Sequence, residues 1–394
     1  MSSKSIRWGE WSSGYTQWSS GKITPEEVLY YFQTPVIFTA LIGLEKYLFF
    51  KADEHDDGDY FFASKITQEA VQALKDGRLS VRGALWQDHI WMLDLNLDWE
   101  VRRYQSFKAQ TVSEILPPKG VGISSEHKKV ADTLQQADSA LSFRFFGNEL
   151  QEGAMPFSVF KNLIDNVYRI IKNAFMPTSL ASGRGSSLIS IPIRQPNFSS
   201  LLIAMDEPVF EKLRAQKSKA YKDIDFNEID SEIDRKGKHF FEKFEEAAEA
   251  AAASKFKKSF VKENFELIKS VQDILPRENA AVSNLEVSSH LHSVNHHFQV
   301  NIEAGEIIRR TYKEVKGKDV TLSGVVVSIT SKQRTFVLQS EYGKEVTCHV
   351  ASEFIDPLIA SSELKIGRKV KVTGEFTKRK QRGLLLAVGA PFLI

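Results

Sequence analysis

Val320-Thr321-Leu322-Ser323-Gly324-Val325-Val326-Val327-Ser328-Ile329 decides the fold of the carboxyl-terminal part of this 394-residue chain. β-branched residues dominate the stretch, and a glycine interrupts it where a strand of a small barrel has to bend sharply. Four further β patterns follow, Thr335 to Gln339, Glu345 to Val350, Lys369 to Phe376 and Leu384 to Val388. A turn at Tyr342-Gly343 joins the second to the third, a short helix is predicted around Glu353 to Ala360, and Gly374 lies inside the fourth as Gly324 lies inside the first. The order β-β-β-α-β-β over Lys318 to Ile394 predicts a compact five-stranded barrel.

The connections after the first and the fourth strand are both basic, Thr330-Ser331-Lys332-Gln333-Arg334 and Thr377-Lys378-Arg379-Lys380-Gln381-Arg382-Gly383. In a barrel of this order these two loops flank the ligand face. Lys332, Arg334, Lys378, Arg379, Lys380 and Arg382 are therefore the candidate nucleic-acid-binding residues. From Lys318 onward the chain carries twelve Lys and Arg against seven Asp and Glu, while the preceding residues carry forty against forty-three. The basic excess thus belongs to the barrel, although it is modest beside dedicated nucleic-acid binders. Stacking partners are sparse, because Phe336 shares a strand face with Leu338 and the opposite face offers Thr335, Val337 and Gln339. Charged hairpin tips also arise simply from solvation.

Upstream, the pattern predicts an α+β, multi-domain chain with a small α+β domain over residues 1–120, a central α+β domain with long helices over 121–317, and the barrel over 318–394. In the first, Thr24-Pro25-Glu26-Glu27 reads as a capping box opening a helix through Phe32, and Val36 to Gly43, Lys46 to Ala52 and Tyr60 to Ile66 read as strands. Thr67 caps a helix to about Lys75, closed by Gly77, and His89 to Asn96 and Tyr104 to Val112 resume strand character before the Pro117-Pro118-Lys119-Gly120 linker. In the second, Leu141 to Gly147 is a strand and Pro156 to Phe175 an amphipathic helix. A long helix is expected from His239 to Leu275, with Phe240, Phe244, Ala248, Ala251, Phe256 and Phe260 forming a face suited to dimerisation.

Other clusters hold residue types that can carry chemistry. His290, His292, His296 and His297 crowd together, and His290 with His292 on one strand face would be a weak candidate metal pair, lacking an obvious third ligand. Asp53 to Asp59 resembles a calcium loop but puts Ser64 at the twelfth position, so a hairpin turn explains it. Gly183-Arg184-Gly185-Ser186-Ser187 lacks the ending of a phosphate cradle. Trp8, Trp11 and Trp18, in a polar amino-terminal arm, either pack back on the domain or form an oligomer contact. No nucleophile elbow occurs, and Cys348, the sole cysteine, alternates with Val346 and Val350 on a core face. The expectation is a non-enzymatic protein without cofactor. The lack of a long apolar run or a leader-like amino terminus, together with the single cysteine, predicts a cytoplasmic protein without a membrane segment.

Two resemblances accompany these readings. The last 77 residues resemble an OB-fold barrel, which implies an oligonucleotide- or oligosaccharide-binding module. Thr34-Pro35-Val36-Ile37-Phe38 through Tyr47-Leu48-Phe49, then Ser64-Lys65-Ile66-Thr67 and Leu74 to Arg82, resemble the start of a bacterial family catalogued only as a domain of unknown function. That resemblance implies a bacterial, intracellular accessory protein, of the kind found in antiviral (anti-phage) loci, and carries no activity. Nucleic acid is thus the expected partner of the barrel. The alternative is a scaffold that oligomerises or binds a protein partner, and a further one is a metal-dependent hydrolase using the histidines.

Overall fold

The computed structural model describes Trp18 and residues 21–124, 129–147, 150, 155–177, 180, 188–194, 197–198, 200–212, 215, 225–291, 295–316, 318–341, 343–377 and 382–394. It is an α+β chain forming two compact units, Met1–Ser139 and Ala140–Ile394.

The first unit is an antiparallel meander of β1 (Glu27–Phe32), β2 (Thr34–Ile42), β3 (Glu45–His55), β4 (Gly58–Lys65), β5 (His89–Asn96) and β6 (Val101–Lys108), paired in sequence order. Side chains alternate across a strand, so each of the central strands feeds two cores. Ile37, Leu48, Phe62, Ile90 and Met92 face α1 (Gln68–Lys75) and α2 (Val81–Leu85), whereas Phe38, Phe49, Phe61 and Leu93 face the side where Trp18 packs. The Thr67 side chain accepts the Ala70 N–H to cap α1, as its sequence predicts, and Gly77 leaves the helix at φ +66. The segment through α3 (Leu134–Asp138) belongs to this unit: the Ser80 hydroxyl donates to Asp132 at 2.5 Å, and Asp132 also accepts the Gly120 N–H at 2.9 Å.

One expectation fails here. Residues 27–32 form strand β1 and not a helix, pairing with β2 across a tight turn at Gln33, whose φ is +57. Val28, Tyr30, Tyr31 and Phe32 are β-formers, and a ready partner strand outweighs a capping signal.

The second unit holds a five-stranded antiparallel sheet and the barrel. β7 (Leu141–Phe146) lies at the sheet's centre, between β12 (Asn284–Ser289), itself flanked by β13 (His296–Asn301), and β10 (Leu201–Met205), flanked by β9 (Asn197–Phe198). β8 (Ile189–Ser190) and β11 (Val209–Phe210) make a separate short pair. The helical layer contains α4 (Phe157–Phe175), α5 (Phe226–Ala252), α6 (Lys258–Glu263), α7 (Phe265–Val271) and α8 (Ile302–Val315). The expected single helix from His239 to Leu275 is thus three. Ser254, at φ +55, ends α5 in a left-handed turn, and α5 starts earlier because Ile229 and Ile233 extend its buried stripe. Phe240, Phe244, Ala248 and Ala251 are buried in the unit's own core, so that face is not a free dimerisation surface.

The barrel comprises β14 (Val320–Thr330), β15 (Thr335–Ser340), β16 (Glu345–His349), α9 (Ser352–Ala360), β17 (Lys369–Thr377), β18 (Gly383–Ala387) and the short β19 (Phe392–Leu393). Its pairing runs β14-β15-β16-β18-β17, and β17 returns to β14 to close the cylinder. β16 and β18 are parallel, the other pairs antiparallel. This is the closed five-stranded order read from the sequence. A Cβ on Gly324 would lie 2.1 Å from the Gln339 carbonyl oxygen, and one on Gly374 2.1 Å from that of Leu386, so both glycines are required where strands press together. The barrel interior and the helical layer form one continuous apolar core, with Phe265 of α7 5.7 Å from Phe376 of β17 between ring centroids.

Candidate nucleic-acid interface on the barrel

The loop after β14 is a 3-10 turn, Ser331–Gln333, ended by Arg334 in the left-handed region at φ +50. The Arg334 carbonyl accepts the Val350 N–H at 3.3 Å, which fixes the turn against the end of β16 and leaves the side chain exposed. Lys332 contributes backbone to this turn, and its side chain lies outside the described residues. In the second loop Lys378, Arg379 and Lys380 also lie outside them. Arg382 is described and is engaged, its Nε donating to Glu345 Oε2 at 2.7 Å. Of the six predicted residues, then, Arg334 is exposed beside its turn, while Arg382 is tied to β16.

The outward face of β15 differs from its expected role. Thr335, Val337 and Gln339 should point away from the barrel interior, since Phe336 and Leu338 point in, yet all three are buried within the second unit. An OB barrel ordinarily presents its second and third strands to ligand. Among the described residues of β15 and β16, the outward face is open along β16, where Thr347 is half-buried and His349 exposed.

A different set of cations is open. Lys365, Arg368, Lys369 and Lys371 fall in the turn before β17 and on its outward face, and all four are exposed. Val370 and Val372 alternate with the lysines and are fully buried in the barrel, which forces Lys369 and Lys371 outward, about 7 Å apart along the strand. Among the described residues none of the four has an ion-pair partner. β19 lies beside them: Phe392 is opposite Lys371 and 68% exposed, and the Ile394 N–H bonds the Lys369 carbonyl at 3.1 Å. Lys369, Lys371 and the exposed Phe392 ring therefore share the outward face of β17, with Lys365 and Arg368 exposed in the turn before it. The Lys-Val-Lys-Val alternation was the signal for it, weaker to the eye than the run Lys378 to Lys380.

Elsewhere the structure binds the remaining candidates into local contacts. β12 ends at Ser289, so His290 falls beyond the strand and its Nδ1 lies 3.0 Å from Asn295 Oδ1, while His292 lies outside the described residues. His296 Nδ1 meets Glu245 Oε2 at 2.7 Å and His297 Nδ1 meets Ser288 Oγ at 2.7 Å. Among the described residues no three His, Cys, Asp or Glu converge as a metal ion needs. Trp18 packs edge-on against Tyr47 at 5.4 Å and Trp91 at 5.3 Å, which makes it core of the first unit and not an exposed contact; Trp8 and Trp11 lie outside the described residues. The Gly183 to Ser187 loop also lies outside them. Burial pushes the Cys348 thiol up to about 12, which leaves it an inert apolar group.

Two buried polar contacts anchor the units. In the first, Asp94 is buried and accepts from Arg103 Nε at 2.8 Å, Arg103 Nη2 at 2.7 Å and His55 Nε2 at 3.1 Å. In the second, Lys236 of α5 donates to the carbonyls of Met176 and Glu341, pinning the helix to the β15–β16 turn, and burial lowers its ammonium to about 8.

No helix among the described residues is long and apolar enough to cross a membrane. No known family model matches the chain, and no curated protein matches it.

Proposed function

We propose that the chain is a non-enzymatic binding protein whose barrel holds nucleic acid on the basic face of β17. The single observation that carries this is the exposed group Lys365, Arg368, Lys369 and Lys371, without acidic partners among the described residues and beside the exposed ring of Phe392. Cations at this spacing neutralise successive phosphates, and an exposed ring supplies a stacking surface that any base can use. Arg334 and the loop residues Lys378, Arg379 and Lys380 would extend the contact along the backbone of a single strand.

Fluorescence-anisotropy titration of labelled single- and double-stranded oligonucleotides at two salt concentrations tests the proposal. If about four phosphates are contacted on a single strand, raising salt from about 50 to about 200 mM weakens binding by roughly 50-fold. The double variant Lys369→Glu, Lys371→Glu should flatten that salt dependence, and Phe392→Ala should cost about 1–3 kcal/mol with single strands. The triple variant Lys378→Glu, Arg379→Glu, Lys380→Glu tells whether the loop shares the contact. Binding to no probe at low salt, or binding untouched by the β17 double variant, sinks the proposal.

One observation favours a second reading. Leu386, Val388, Phe392 and Ile394 are all exposed along the flank of β17, an apolar stripe that suits a protein partner. Capture of a protein that is insensitive to salt and lost in Phe392→Ala would favour that scaffold role.

A further inference from the structure

Among the described residues three carboxylates are more than nine-tenths buried: Asp94, Glu286 and Glu266. Asp94 has Arg103 and His55, and Glu286 has Gln299 and Arg144. Glu266 differs, because its Oε2 is buried with no hydrogen-bond partner. A buried carboxylate oxygen without a donor is strongly unfavourable, so its place in the fold asks for a ligand that supplies one.

Glu266 also lines a cavity of about 50 Å³ where α5, α6 and α7 meet the first barrel strand and the β15–β16 turn. Glu263 and Glu341 line the same cavity, together with Asn264, Ser323 and the exposed His239. Of the lysines around it, Lys236 donates to two backbone carbonyls, Lys262 lies 3.7 Å from Asp319, and Lys269 lies over the rings of Phe265 and Phe376. Among the described residues the cavity's own lining thus holds three carboxylates and no Lys or Arg, with the Lys236 ammonium close enough to act on Glu341. Phe265 and Leu322 add an apolar side to it.

The class of cation follows from the spacing. Among the described residues the carboxylates do not converge closely enough to hold a bare metal ion. A primary ammonium suits the site better, since its three N–H groups point apart and reach separate acceptors, while its alkyl stem lies on Phe265 and Leu322. We infer that this cavity binds a primary alkylammonium group, with Glu266 as the buried anion that receives it. The ammonium could belong to a free polyamine or to a lysine side chain of a peptide; the site chemistry is the same.

Calorimetric titration of the full chain, without nucleic acid, tests this independently of the barrel's basic face. The probes are n-butylammonium, putrescine and an Nα-acetyl-lysine amide, against tetramethylammonium, potassium and magnesium chlorides at matched ionic strength. Saturable binding is expected for the primary ammonium probes alone, at least tenfold weaker in Glu266→Gln. Glu263→Gln changes an exposed rim residue, keeps the fold, and should weaken binding at least twofold even if Glu266→Gln is poorly folded. Tighter binding of putrescine than of the lysine amide identifies a free amine as the source, and the reverse order identifies a peptide. Absence of saturable binding, equal response to tetramethylammonium or magnesium, or undiminished binding in both variants overturns the inference.

Discussion

Gly237→Ala probes how closely α5 and α4 approach. A Cβ at Gly237 would stand 2.2 Å from Cε1 and 2.6 Å from Cζ of Phe175, the last residue of α4, whose side chain is almost fully buried. Two effects oppose each other. Alanine in a helix interior is favoured over glycine by about 1 kcal/mol. Against that, overpacking a filled core costs about 1–3 kcal/mol, and a contact this short calls on the upper part of that range. Phe175 cannot swing away freely, since its ring lies among buried neighbours that include Phe241, 6.4 Å off between centroids. The net expectation is a loss of about 1–2 kcal/mol, or a fall in Tm of roughly 2–8 °C for a unit of this size. Urea and thermal unfolding of the full chain followed by circular dichroism measure it. The partner change Phe175→Leu should restore part of the loss when combined with Gly237→Ala, a coupling of about 0.5–3 kcal/mol. A Gly237→Ala protein as stable as the parent, or strict additivity of the two changes, would refute the close helix crossing.

Three further outcomes follow from buried groups. Lys236 is lowered to about 8 in the fold and titrates near its ordinary 10.5 when unfolded, so the unfolded chain holds the extra proton between these values and stability from this residue rises with pH through that window. Urea midpoints should therefore move in favour of the parent over Lys236→Met between pH 7.5 and 9.5, and parallel profiles would count against it. The neutral amine keeps two N–H groups for the carbonyls of Met176 and Glu341. Asp94→Asn loses charge-assisted bonds to Arg103 and His55; because Arg103 is half exposed, the expected destabilisation is only about 1–3 kcal/mol, and an unchanged urea midpoint would contradict it. Cys348, with its thiol raised to about 12 by burial, should resist a thiol reagent at pH 8 in the folded protein and react fully in denaturant; labelling of the native chain would show that the barrel opens.

The barrel was legible in the sequence because strand alternation, interior glycines and a turn at Gly343 all pointed the same way. α1 was legible for the same reason, with Thr67 and Gly77 marking its ends. Residues 27–32 were misread because a local capping signal competed with pairing to β2, which no local pattern reveals. The break between α5 and α6 depends on the left-handed turn at Ser254, a residue with no special claim to that conformation. The candidate site was legible only in kind. A basic barrel could be read, but the choice between loop and strand face depends on what covers Thr335, Val337 and Gln339, and burial of that sort is a tertiary fact. Glu266 carried no signal at all in the sequence, since an unremarkable Glu between two apolar residues becomes distinctive only when the fold withholds its partner.

The apolar core shared by the barrel and the helices has a thermodynamic consequence. A fragment starting at Lys318 would strip Phe376 and β14 of the helices that cover them, so the barrel's folding free energy is inseparable from that of α6, α7 and α8. By linkage, whatever the barrel holds must protect those helices from unfolding by the same increment. Amide hydrogen exchange along Ile302–Val315 would then register occupancy of a face to which that helix contributes no side chain.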